Sequence, residues 1–251
     1  MKPIALVIGG TRGLGAEISK LLRATHKVYA AGRNYQSFTQ FMGISREHDI
    51  SYVYWDIDFD QKQNAPLHVS AFYGDIKDRD QPIDLLVYCP GFYQPSLVSE
   101  LNSDDIDRML HIGLTYPVRV IKKIIEKQNV LPGFIAVTST SQWSPHANEP
   151  LYAAVKAGLA AFAHAVSFDP AFGRVMVAAP ARMKPDQDTS KYLDPKWVAQ
   201  QIVQEYQQEN LKYKFMKILR DPAQVIIDPS TRYSDEKDPV KPFGFRFLPK
   251  E

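Results

Sequence analysis

Short apolar runs and amphipathic stretches alternate along the chain almost without interruption. Ile4–Ile8, Val28–Ala31, Ser51–Trp55, Asp84–Tyr88, Phe134–Thr138 and Val175–Ala179 read as strands, with Val225–Ile227 as a last short one. Between them, Ala16–Ala24, Tyr35–Met42, Leu67–Tyr73, Asp104–Lys127, Leu151–Ser167 and Lys196–Gln208 read as helices. Leu67–Tyr73 carries the weakest pattern, and Pro117 is expected to bend the longest helix. Strands this uniformly apolar are buried on both faces, and the helices between them make the crossover connections of a parallel sheet. The pattern therefore predicts an α/β fold, doubly wound, with about seven parallel strands and helices on both faces.

No internal repeat and no Pro/Gly/Ser-rich linker divides the chain, so residues 1–251 are read as one domain. The last stretch, 228–251, differs. It holds Pro229, Pro239, Pro242 and Pro249, and Phe243, Phe245 and Phe247 alternate near its end. It reads as an irregular tail packed on the domain, or an arm over the active site or a partner subunit. Lys+Arg 30 against Asp+Glu 28 gives a formal charge of +2, which offers no basic field for nucleic acid or a membrane surface. A single cysteine, Cys89, excludes an internal disulfide framework and Cys-rich zinc sites, and no metal site is expected. The opening apolar run is too short for a signal-peptide core or a membrane span, so a cytoplasmic protein is expected.

The chemistry begins where the first strand ends. Gly9-Gly10-Thr11-Arg12-Gly13-Leu14-Gly15 leads straight into the first helix, with Gly9, Gly13 and Gly15 spaced G-x-x-x-G-x-G. Glycines allow a tight turn and close backbone approach to a pyrophosphate, and the helix N-terminus adds N–H donors and a favourable dipole. The position between first strand and first helix makes this a dinucleotide cradle rather than a chance glycine turn. The second strand ends in Ala31-Gly32-Arg33-Asn34, about 20 residues beyond the glycines. An acidic residue there would bond the 2′-hydroxyl of NAD. Arg33 instead suits the 2′-phosphate of NADP, with Arg12 as a second cation. Asp56, followed by Ile57 at the end of the third strand, can accept from an adenine amino group or cap a turn.

Tyr152 and Lys156 stand four apart on one helix face, thirteen residues after Ser139 at the end of a strand. With Gly9, Gly13, Gly15 and Asp56, these residues resemble the short-chain dehydrogenase/reductase family in its compact single-domain form, over roughly residues 3–227. The resemblance implies a Rossmann fold and an NADP(H)-dependent reduction of a small-molecule carbonyl to an alcohol, or the reverse. It implies Tyr152 as general acid, Ser139 as the group polarising the carbonyl oxygen, and Lys156 as the residue that holds the nicotinamide ribose and lowers the Tyr152 pKa. It also places Leu14, Gly91 and Pro180 beside the cofactor.

The chain departs from the family in several places. Family members usually carry an Asn in the long middle helix, which helps hold a water-linked proton relay. Here Gly113 occupies that position, and His111 nearby points elsewhere on the helix. The fourth strand ends in Tyr88-Cys89-Pro90-Gly91 in place of an Asn-Ala-Gly type segment, and the sixth is followed by Pro180-Ala181 in place of Pro-Gly. Ala181–Pro195 is the variable substrate loop, with Lys184, Asp186, Asp188 and Lys191. Phe92, Tyr93, Trp143, His146 and Asn148 lie near the expected pocket. The small residues of the Tyr152 helix, Ala153 to Ala165, fit packing against a second helix in a homo-oligomer, a dimer or tetramer. Two other functions stay open: a cofactor-binding regulator or structural protein with little catalysis, and an epimerase or dehydratase that recycles its nicotinamide.

Overall fold

The computed structural model describes residues 2–33, 35–42, 50–57, 64–75, 81–183, 192–208, 210–220 and 223–233. Its strands are β1 (Ile4–Ile8), β2 (Lys27–Gly32), β3 (Ile50–Tyr54), β4 (Ile83–Tyr88), β5 (Leu131–Val137), β6 (Phe172–Pro180), β7 (Leu211–Arg220), β8 (Ala223–Ile227) and β9 (Arg232–Tyr233). Its helices are α1 (Gly13–Leu22), α2 (Tyr35–Met42), α3 (Asn64–Asp75), α4 (Ser103–Leu110), α5 (Tyr116–Gln128), α6 (Pro150–Val166) and α7 (Pro195–Tyr206).

The strands form one sheet in the order β3-β2-β1-β4-β5-β6-β7-β8, with β9 also paired to β7. β1 to β7 run parallel, and β8 and β9 pair antiparallel with β7. This is the doubly wound fold read from the sequence. Side chains of a strand point alternately to the two faces, and both faces are buried. Ile4, Leu6 and Ile8 join Tyr116, Val120 and Leu159 in one core, whereas Ala5 and Val7 join Ile18, Leu22 and Ile202 in the other. The strand order reverses between β1 and β4. Such a switch point opens a crevice at the carboxyl ends of the strands.

Three elements differ from the sequence reading. The seventh parallel strand is Leu211–Arg220, which the sequence reading left unassigned; Val225–Ile227 belongs to the antiparallel edge strand β8. The lysines of β7 hide its strand character. Lys214 is fully buried, its Nζ 2.6 Å from Glu205 Oε2 and donating to Gln208 Oε1 at 2.5 Å. The tail begins with order: Arg232 and Tyr233 form β9, and residues 234–251, with Phe243, Phe245 and Phe247, lie outside the described residues. The long helix is not one bent rod. A π turn, His111–Thr115, separates α4 from α5. Pro117 has no N–H for the Gly113 carbonyl and its ring crowds that position, so the ladder widens instead of kinking. The Tyr116 N–H bonds back to the His111 oxygen, and the Tyr88 hydroxyl donates to the Ile112 carbonyl that this shift leaves over.

Candidate active site

A cleft of about 1040 Å³ opens at the switch point. At its centre the glycine loop folds tightly onto the sheet. The Gly9 and Gly10 N–H groups both bond the Ala31 oxygen, at 2.9 and 3.2 Å. Gly9 has φ +77°, a left-handed conformation that glycine adopts without cost. A Cβ at position 15 would lie 2.2 Å from the Gly9 oxygen, so only glycine lets α1 start this close to the loop. α1 has no side-chain cap and no acid in its first turn, which leaves its first N–H groups toward the cleft. Gly9, Thr11, Arg12, Gly13, Leu14 and Gly15 all line that cleft, and Arg33 stands at its β2 end. These are the features a pyrophosphate and an adenosine phosphate require.

Ile57 and Gly91 line the cleft as well, whereas Asp56 and Pro180 do not. Asp56 faces Arg33 instead, with 3.9 Å between carboxylate oxygen and Nε. Pro180 is buried at the end of β6, opposite Ile218. Asn34, Lys184, Asp186, Asp188 and Lys191 lie outside the described residues.

At the inner end, α6 carries Tyr152 and Lys156 into the cleft. Lys156 is 2% exposed. Its Nζ donates to the Pro90 and Val137 oxygens, at 3.3 and 3.2 Å, and sits 5.8 Å from the Tyr152 ring centroid. Burial pulls the ammonium down to about 8, with Cys89 opposing. Burial pushes the Tyr152 phenol up to about 12; Ser139 opposes this, and Glu149 and Tyr93 add to it. Sequence reasoning expected Lys156 to lower the Tyr152 pKa. Here the phenol is raised by its own burial, and the lysine directs its donors at main-chain carbonyls. At neutral pH Tyr152 therefore holds its proton and can donate it.

Ser139 follows β5 and is absent from the cleft lining, where Thr138 appears; its Oγ bonds Ser141 instead. Gly113 lies behind α6. A Cβ there would come within 2.0 Å of Val155 Cγ1, so Val155 fills the space that an Asn side chain would need. His111 is buried, its ring edge-on to Tyr116 at 5.6 Å and Nδ1 3.4 Å from Thr115 Oγ1.

A family model described as short chain dehydrogenase matches residues 3–195. The chain belongs to the short chain dehydrogenase family. An uncharacterized short-chain type dehydrogenase/reductase of Sinorhizobium fredii is 30% identical over 173 residues, covering 66% of this chain and 63% of its own length. The chain thus spans a little under two thirds of that relative. Among solved structures, an alcohol dehydrogenase from the archaeon Thermococcus sibiricus, complexed with 5-hydroxy-NADP, matches with a TM-score of 0.76 at 17% identity, over 89% of this chain and 98% of its own. A 3-oxoacyl (acyl-carrier-protein) reductase from Agrobacterium tumefaciens with NADP bound gives 0.68 at 18% identity, over 79% and 85%. A bulky-bulky ketone specific alcohol dehydrogenase from Comamonas testosteroni gives 0.67 at 18%, over 81% and 82%. At these identities the likeness is one of fold.

Sequence reasoning missed several groups in the cleft. Arg108 of α4 lines the cleft with its guanidinium carbon 4.3 Å from the centroid of Phe92. Tyr35 and Gln36 line the cleft beside Arg33. Glu149 is buried and binds the Tyr93 hydroxyl at 2.8 Å, and the Tyr93 ring meets Tyr152 edge-on at 5.0 Å. Its position three residues before Tyr152 was the available signal, masked by a polar loop. Among the described residues no helix is long and apolar enough to cross a membrane, and no group of three or more His, Cys, Asp or Glu side chains could hold a metal ion.

Proposed function

We propose that the chain is an NADPH-dependent carbonyl reductase of small molecules, working as an alcohol dehydrogenase in reverse. One observation carries this reading: Tyr152 and Lys156 stand at one end of a single cleft, Arg33 at the other, with the glycine cradle between. A cleft of about 1040 Å³ with Arg12 and Arg33 in its lining suits a dinucleotide with an extra phosphate at its adenosine end. Gly13, Leu14 and Gly15 would hold the pyrophosphate, Arg12 and Arg33 the 2′-phosphate, and Lys156 the ribose near Tyr152. The bound nicotinamide would supply the hydride. Tyr152 protonates the carbonyl oxygen, and Ser139 hydrogen-bonds that oxygen as it gains charge.

A cofactor-binding regulator remains the second reading, favoured by Val155 in the place of the family's Asn. An epimerase or dehydratase would release no oxidised cofactor with its product. Fluorescence titration with NADPH and NADH tests the cradle, and ethyl acetoacetate with NADPH tests the chemistry. Tight NADPH binding, weak NADH binding and turnover are expected. Binding without turnover of any carbonyl probe would favour the regulator, and binding of neither nucleotide would overturn both. Ala154, Ala161 and Ala165 are exposed along α6. We expect this small-residue face to pack in a homo-oligomer, and a monomeric mass in light scattering would refute that.

A further inference from the structure

Among the described residues that line the cleft, the charged side chains are Arg12, Arg33, Arg108 and Lys156, and all are cations. The reading above gives Arg12 and Arg33 to the 2′-phosphate and Lys156 to the ribose. It gives Arg108 no role.

The contacts of residues 90–93 place Arg108 at the Tyr152 end. Lys156 Nζ donates to the Pro90 oxygen at 3.3 Å, and a Cβ on Gly91 would lie 3.4 Å from the same Nζ. The Tyr93 ring meets Tyr152 edge-on at 5.0 Å. Phe92 stands between these residues in the chain, and the Arg108 guanidinium carbon is 4.3 Å from its ring centroid. Ile112, four residues after Arg108, lines the cleft too, and the next residue, Gly113, abuts Val155, the neighbour of Lys156.

The Phe92 ring attracts the guanidinium without neutralising it. Arg182, its guanidinium carbon 5.9 Å from the Tyr93 ring centroid, adds a second positive charge at this end. Glu149 is buried there, accepts the Tyr93 hydroxyl at 2.8 Å and the His146 N–H at 3.2 Å, and is absent from the cleft lining. Asp104, Asp105 and Asp107 of α4 are absent from the lining as well.

We propose that Arg108 is a specificity-determining residue that holds a carboxylate on the substrate, so that the carbonyl compound reduced here is an oxo acid. A planar guanidinium offers paired N–H donors that match the two oxygens of a carboxylate. In a cleft partly shielded from water, that attraction is stronger than at an open surface. The chemistry rests on the reductase reading above, and the binding rests on the cleft alone.

The test compares acids with their own esters. Acetoacetate, 4-oxopentanoate and 5-oxohexanoate are assayed with NADPH beside their ethyl esters, which keep the carbonyl and lose the charge. For at least one chain length the acid should exceed its ester in kcat/KM by about tenfold or more, and added salt should narrow the gap. Arg108→Met keeps an apolar stem over Phe92. It should lower kcat/KM for that acid by about 10–100-fold more than for the ester, mostly through KM. Esters preferred at every length, or equal losses for acid and ester, would overturn the proposal. NADPH affinity, read by fluorescence, should fall far less than the acid's kcat/KM. A matching fall would make Arg108 a cofactor ligand and overturn it too. Arg108→Gln replaces Arg108→Met if that variant does not fold.

A second arm needs no turnover. Calorimetry follows the three acids binding to the parent protein and to Arg108→Met, with and without NADP+. Where no carbonyl probe is reduced, this arm decides, so the reductase reading can fail by itself. Binding that Arg108→Met weakens by about tenfold or more sustains the inference. No acid bound by the parent, or equal binding by both proteins, overturns it.

Discussion

The two ends of the cleft are built on opposite logic. At the glycine loop, backbone decides: Gly9 and Gly15 are required by a left-handed turn and a 2.2 Å approach, and no other residue type satisfies both. At the Tyr152 end, side chains decide. Val155 fills the space beside Gly113, and Glu149 takes the hydroxyl of Tyr93, whose ring meets Tyr152 edge-on. A backbone solution tolerates no substitution without losing the site. A side-chain solution can be rebuilt from different residues around the same Tyr and Lys.

The strongest way to break this contrast is at the two ends themselves. Tyr152→Phe should reduce carbonyl turnover by about 10²–10⁴-fold while NADPH affinity, read by fluorescence, stays within about twofold. Gly15→Ala should do the reverse in order: NADPH binding lost by about 100-fold or more, because the loop must move away from α1. Equal loss of binding in both variants would erase the division of labour. Gly113→Ala tests the exchange of side chains. It should cost about 1–3 kcal/mol in denaturant unfolding, and the added Val155→Ala change should recover part of that loss as a coupling energy. Simple additivity would mean that Val155 is not what excludes a larger residue.

A further effect concerns pH. Lys156 binds its proton more weakly folded, at about 8, than unfolded, near 10.5. Between those values the unfolded chain holds more protons, so stability should rise with pH by up to about 1.4 kcal/mol per unit from this group. Below the folded value the lysine is charged in both states and its desolvation cost is fully present. Lys156→Met should flatten that slope in urea titrations. An unchanged slope would place the lysine's proton elsewhere in the balance.

The sheet was legible because its strands announce themselves as unbroken apolar runs, and the glycine loop because strand, loop and helix are contiguous in sequence. β7 was not, since a buried Lys214 looks like a surface residue until Glu205 and Gln208 of the preceding segment are seen around it. The same difficulty hid Glu149. Its partner Tyr93 comes from the segment after β4, and only the fold brings the two together. Tyr152 and Lys156 needed no such gathering, because one helix face holds both.

The π turn between α4 and α5 acts as a phase shifter. One extra residue in a helix of about 3.6 residues per turn rotates everything before it by roughly 100° relative to everything after. Arg108 and Ile112 thereby look into the cleft while Tyr116 and Val120 look into the core. Deleting a single residue from His111–Thr115 would turn α4 like a misindexed gear, sweeping Arg108 off Phe92 while the strands and the glycine loop stayed in place.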